Sequence, residues 1–169
     1  MHPRGEAGYN QTIALETAVI QMELNKIVIS ETSEEQVIVL KEVDGARAFP
    51  IVIGLWEAVA IDRNLQQKRT PRPMTHDLIE NVIKGLDGRL ERIIVNELKN
   101  RTFYAKLVLR RNGKAVEVDS RPSDAIALAV QMRVPIYVEE QVLEDVASGS
   151  SSEPGPPGFS PEEEDDETV

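Results

Sequence analysis

The sequence predicts an α+β domain of two β-β-β-α halves, with small antiparallel or mixed sheets packed against helices. Three observations carry this expectation. The apolar pattern switches between period 2 and period 3.6 along the chain. Asn112-Gly113, a strong two-residue hairpin signal, joins two strand-like runs. An eight-residue echo sets Gly54-Leu-Trp-Glu-Ala-Val-Ala-Ile61 against Arg121-Pro-Ser-Asp-Ala-Ile-Ala-Leu128. It places Glu57 opposite Asp124 and opens a helix after each group of three strands. Internal duplication explains the echo, and so does chance agreement between two Ala-rich helix starts.

Taken in order, Glu23 to Ser30 and Gln36 to Lys41 alternate as two strands of a hairpin, with Glu31 to Glu35 as the turn. Arg47 to Ile53 forms a third strand after the turn at Asp44-Gly45 and stops at Gly54. Leu55 to Leu65 has helical spacing, with Ala58, Ile61 and Leu65 on one face. Two prolines and Lys68, Arg69 and Arg72 break the pattern between Gln66 and Pro73, which reads as an exposed loop. Thr75 then caps a helix whose Leu78, Ile79, Val82, Ile83 and Leu86 form a stripe expected to be buried. Gly88 is the expected residue just past its end. Strands follow at Arg89 to Leu98, Thr102 to Arg111 and Lys114 to Val118. Pro122 opens a helix over Ser123 to Met132, Ile136 to Val138 is a short strand, and Leu143 lies in a closing helical turn. Alanines in the echoed helices suit a helical layer between two small sheets.

Composition bounds the function classes. Apolar residues at 41% support a folded core, and aromatics at 4% require that core to be aliphatic. The absence of cysteine excludes a disulfide scaffold, a thiolate metal site and a Cys nucleophile. No apolar run approaches the roughly 20 residues that span a bilayer, so a membrane partner is not expected and a cytoplasmic location is. The net charge of −10 is concentrated at the end, where Glu153 to Val169 hold seven acidic residues and no basic one. Taking those seven from 29 leaves 22 acidic against 19 basic residues, a balance of −3. A strongly basic DNA-binding surface is excluded, while a local basic patch is not. Residues 147–169 read as a disordered acidic tail, solubilising or competing with phosphate for basic groups. Residues 1–21 read as an N-terminal extension, with the domain over 22–146 and Met22 as its expected start.

Phosphodiester hydrolysis needs a group that activates water and positive charge on the phosphorane. His76 and Asp77 are a candidate catalytic pair, placed in the first turn of a helix four and five residues after Arg72. A plain structural role competes, in which the His76 ring bonds the turn and Asp77 favours the helix dipole. Asp119 and Asp124, five residues apart across a tight turn, are candidate catalytic groups able to converge on one divalent cation, magnesium or manganese. Arg121 between them suits a phosphate oxygen. A folding role is equally complete: Ser120 or Ser123 caps the helix, Asp124 complements its dipole and Arg121 pairs with Asp119. Glu57 is a further possible metal ligand, with Asp62 after it on the same helix. Glu97-Leu-Lys99 with Asp87 upstream matches a short nuclease pattern that chance also produces. Arg72, Arg69, Lys68 and Arg121 are candidate phosphate-binding residues, with Arg63, Arg101, Arg110 and Arg111 as further cations. One Trp and three Phe do not supply the aromatic platforms of a dedicated single-strand binder.

Ile53-Gly-Leu-Trp-Glu-Ala, Arg72-Pro-Met-Thr-His76-Asp77-Leu and Asp119-Ser-Arg-Pro-Ser-Asp-Ala-Ile-Ala-Leu-Ala129 occur in that order, with Phe103-Tyr-Ala-Lys-Leu107 between the last two and Val134-Pro-Ile-Tyr-Val138 after them. Over roughly residues 22–146 the chain resembles the bifunctional nuclease domain. The resemblance implies action on both RNA and DNA. Some members carry a C-terminal helical-hairpin module, where this chain has its acidic run. A nuclease is therefore the leading expectation, and a non-catalytic homo-oligomeric regulatory or adaptor module is the alternative.

Overall fold

The computed structural model describes residues 18–149 apart from 31, 34 and 69. The expected acidic tail falls, from residue 150 on, outside the described residues, as does most of the N-terminal extension. The strands are β1 (Val19–Val28), β2 (Glu35–Glu42), β3 (Ala48–Gly54), β4 (Gly88–Lys99), β5 (Thr102–Arg111), β6 (Lys114–Ser120) and β7 (Ile136–Glu139). The helices are α1 (Leu55–Leu65), α2 (Thr75–Gly85), α3 (Pro122–Met132) and α4 (Glu140–Ala147). β1 starts earlier than the alternation suggested, and Ala147 belongs to α4 rather than to the tail.

The α+β class is as the sequence reads, but the strands form one seven-stranded mixed sheet, ordered β3-β2-β1-β7-β4-β5-β6, rather than two small ones. Short β7 makes the join. It runs antiparallel to β1, pairing Met22 with Ile136, and parallel to β4, pairing Ile93 with the same Ile136. The two meanders thus lie on either side of β7, each followed by a helix. The hairpin between β5 and β6 turns at Asn112 and Gly113, with φ of 49° and 75°, the left-handed pair that this dipeptide favours. Gly88, by contrast, opens β4; Asp87 holds the left-handed position after α2, with φ of 56°.

The sheet coils strongly. Phe49 on edge strand β3 stacks on Phe103 of β5, with ring centroids 5.5 Å apart, although five positions separate the strands. Ile38, Leu40, Ile93, Val95 and Val138 line the interior and are fully buried. Into this concavity α3 inserts Ala125, Ile126, Ala127, Leu128 and Ala129, all buried, so the helix is core on nearly every side. Its alanines let α1 cross closely: Ala58 and Ile61 are fully buried, and the Asn64 amide donates to the Ala127 carbonyl at 3.1 Å. Leu65, expected on the same face, is 46% exposed because α1 ends where the layer ends.

The stripe expected to be buried on α2 is split. Ile83 is buried and Ile79 packs on the core, but Leu78, Val82 and Leu86 are about half exposed. The apolar arc is wider than the surface α3 and β4 offer it. The α2 stripe and the aliphatic centre should respond differently to truncation. Ile93→Ala is expected to lower the unfolding free energy by about 3 kcal/mol, whereas Leu78→Ala should stay within about 0.5 kcal/mol; urea denaturation followed by circular dichroism measures both.

Candidate active site

Three helices begin alike. The N-cap residues of α1, α2 and α3 are Gly54, Met74 and Arg121, and none caps through its side chain. Each helix instead carries an acid at its third position: Glu57, Asp77 and Asp124. A carboxylate there complements the dipole and reaches the unpaired first-turn N–H groups. For α2 the Met74 N–H donates to Asp77 Oδ2 at 2.8 Å, so Asp77 takes the capping role expected of Thr75. Ser120 and Ser123 do not cap α3 either. Ser120 Oγ donates to the Arg121 carbonyl, and Ser123 is buried. At α1 a Cβ on Gly54 would meet only the carboxylate end of the Glu57 side chain, which would have to move aside.

The N-termini of α1 and α3 meet through Arg121. Its Nε donates to Asp124 Oδ2 at 2.8 Å and its Nη1 to Glu57 Oε1 at 2.9 Å. Arg121 therefore pairs with the two helix-start acids and not with Asp119. The second oxygen of Asp124 lies 3.2 Å from His76 Nε2. His76 was expected on an exposed edge, but the residue is only 9% exposed and turned inward from α2. Glu57, Arg121, Asp124 and His76 thus form one hydrogen-bonded chain across three helices, and the echoed positions Glu57 and Asp124 share one guanidinium.

The electrostatics follow from these contacts. Arg121 is held above the ordinary arginine range by its hydrogen bond to Asp124 and by that charge, with Glu57 adding to the effect. Burial pushes the Asp77 carboxyl up, but the Met74 N–H and the Arg63 guanidinium outweigh it, leaving the group below its ordinary 3.8. A carboxylate accepts only, so His76 Nε2 is the donor to Asp124 and Nδ1 is the ring nitrogen that this contact leaves over.

The remaining candidates lie elsewhere. Asp119 is exposed on β6 opposite Lys106, outside the hydrogen-bonded chain. Asp62 accepts from the Gln66 amide. Asp87 and Lys99 stand at opposite ends of β4, about 40 Å apart at strand rise, so the short Glu-x-Lys pattern with its upstream acid does not assemble. Arg110 donates twice to Glu91 and once to the Gly113 carbonyl, and Arg63 donates to Asp77, so both lie outside the Arg121 cluster. Arg72 lies exposed in the loop, and Arg69 is outside the described residues. Lys68 lines a cleft of about 720 Å³ between that loop, α2 and the end of α3, together with Asp77, Asn81 and Arg133. Trp56 is the neighbour to which the sequence reading gave no role, although a lone Trp beside a helix-start acid is a visible signal.

The profile described as the bifunctional nuclease domain matches residues 38–150, a span holding all four side chains. The chain belongs to the bifunctional nuclease domain family. It is 43% identical over 115 residues to an uncharacterized protein of Mycobacterium tuberculosis, covering 68% of each chain. It is 25% identical over 118 residues to bifunctional nuclease 1 of Oryza sativa subsp. japonica, and 27% over 128 residues to bifunctional nuclease 1 of Arabidopsis thaliana. The matches cover 68% and 70% of this chain but only 36% and 39% of those plant proteins. No helix among the described residues of this bifunctional nuclease domain is long and apolar enough to cross a membrane.

Asp77 gives the site a testable pH signature. A carboxyl whose value is lowered on folding stabilises the fold above its unfolded value and loses that contribution as pH falls through the folded one. Asp77→Asn should therefore be less stable than the parent by about 1 kcal/mol near neutral pH. Thermal melts should show the difference shrinking as pH drops below 3.8.

Proposed function

We propose that this bifunctional nuclease domain hydrolyses phosphodiester bonds in RNA and DNA with little sequence specificity. The observation that carries the reading is the hydrogen-bonded chain Glu57-Arg121-Asp124-His76. It supplies the two things the reaction needs. Arg121 has five N–H donors, of which two are engaged, and its side chain is 65% exposed. The rest are available to the non-bridging oxygens of a phosphate, where charge builds in the transition state. His76, oriented by Asp124, accepts the proton of the attacking water at Nδ1. The bond from the water oxygen to phosphorus forms, the bond to the leaving sugar oxygen breaks, and that oxygen takes a proton back. Water rather than a ribose hydroxyl serves as nucleophile on both RNA and DNA. Contacts to phosphate carry no base information, which accounts for low specificity. Lys68 and Arg72 on the neighbouring loop extend the phosphate contacts.

A divalent cation fits the donors in kind, since the carboxylates are hard oxygen ligands. No group of three or more metal-binding side chains is gathered among the described residues. Both oxygens of Asp124 are engaged by His76 and Arg121. Magnesium or manganese would accordingly be held by Asp119 or Asp124 with water and substrate phosphate completing the shell, as suits an ion that keeps much of its hydration. When bound it would neutralise phosphate charge.

A second reading is favoured by one specific observation. Met74, Leu78, Val82 and Leu86 leave an exposed apolar stripe on α2, which suits a homo-oligomeric adaptor without catalysis. The purified chain decides between them. It should degrade single-stranded RNA and DNA with magnesium or manganese and lose activity with chelator. His76→Ala, Asp124→Asn and Arg121→Gln should each lower kcat by about a hundredfold or more with melting temperature nearly unchanged. Variants as active as the parent would trace the activity to a contaminant and leave the adaptor reading.

A further inference from the structure

Trp56 is the one tryptophan in the sequence, and it is 79% exposed. Tryptophan is among the most buried residues on average, so an indole left in water at a helix start is the unusual observation here. Its position is specific. Trp56 is the second residue of α1, and the next residue, Glu57, holds Arg121 Nη1 at 2.9 Å. A ligand whose phosphate sits on the free edge of Arg121 is therefore within a nucleotide's span of the helix turn that carries the indole. A guanidinium and an exposed aromatic side chain at that spacing suit the phosphate and the base of one nucleotide unit.

We propose that Trp56 is a base-stacking residue that makes the site select single-stranded over duplex nucleic acid. This rests on the nuclease reading for the phosphate at Arg121, but concerns binding and not hydrolysis. A base paired in a duplex hides both faces, whereas an unpaired one lies on an aromatic ring at little cost. Every base has such a face, so stacking on Trp56 adds affinity without adding sequence preference. One platform also explains why the rest of the chain needs no aromatic row: it grips a single nucleotide next to the scissile phosphate and releases the strand readily.

A lone tryptophan reports on its own occupancy. Intrinsic emission of the full chain, titrated with a short oligodeoxythymidylate in chelator to prevent turnover, should be quenched saturably. A blunt duplex at equal nucleotide concentration should quench far less. Trp56→Ala should weaken binding of a labelled single strand about tenfold by anisotropy, with Trp56→Phe in between, within the range that removing a stacking aromatic gives. Absence of binding, binding without a change in emission, or equal quenching by duplex would overturn the proposal. Emission that follows protein concentration instead of oligonucleotide would overturn it too, by showing that a second copy covers the indole. The two readings fail separately. Hydrolysis with silent Trp56 emission refutes stacking alone, and quenching without hydrolysis under magnesium or manganese refutes the nuclease alone.

Discussion

The Arg121 guanidinium, shared between Glu57 of α1 and Asp124 of α3, is the contact on which the arrangement of the site depends. It fixes two helix starts from opposite halves of the sheet against one another and aims Asp124 at His76 on a third helix. Its worth lies in position more than in stability. The Arg121 side chain is 65% exposed, and ion pairs in that setting contribute about 0–1 kcal/mol. The aliphatic interior supplies the stability, chiefly through α3, buried on nearly every side within the coiled sheet. The chain therefore separates a rigid support from a solvent-facing polar cluster.

Three helices place an acid at the third position, and the reason is shared. Their N-cap residues, Gly54, Met74 and Arg121, offer no capping oxygen of their own, so the carboxylate one turn in complements the dipole. In α2 that acid, Asp77, stays with its own helix and with Arg63. In α1 and α3 it faces outward to the same guanidinium. One local device yields a structural cap in one helix and site residues in the other two.

This division explains what the sequence could and could not reveal. Periodicity and turn chemistry located the elements well, because Asn112-Gly113 and Pro122 fix local backbone whatever surrounds them. The union of all strands into one sheet was not legible. It depends on β7, four residues whose pairings reach β1 and β4 from far along the chain. The echo around Glu57 and Asp124 pointed to residues that do come together, but only tertiary packing shows that Arg121 joins them. The burial of His76 was missed for the same reason, since its partner is 48 residues away. The half-exposed stripe on α2 shows the converse limit. Helical spacing reveals an apolar face but not how much of it a neighbour covers.

The central claim is that Arg121 and Asp124 act as one unit on substrate. A double-mutant cycle of Arg121→Gln and Asp124→Asn, read in kcat/KM on single-stranded RNA, tests it most directly. The account predicts that the double variant loses little more than the worse single variant, as groups acting together do. Losses that multiply independently, or single variants with full activity, would contradict it.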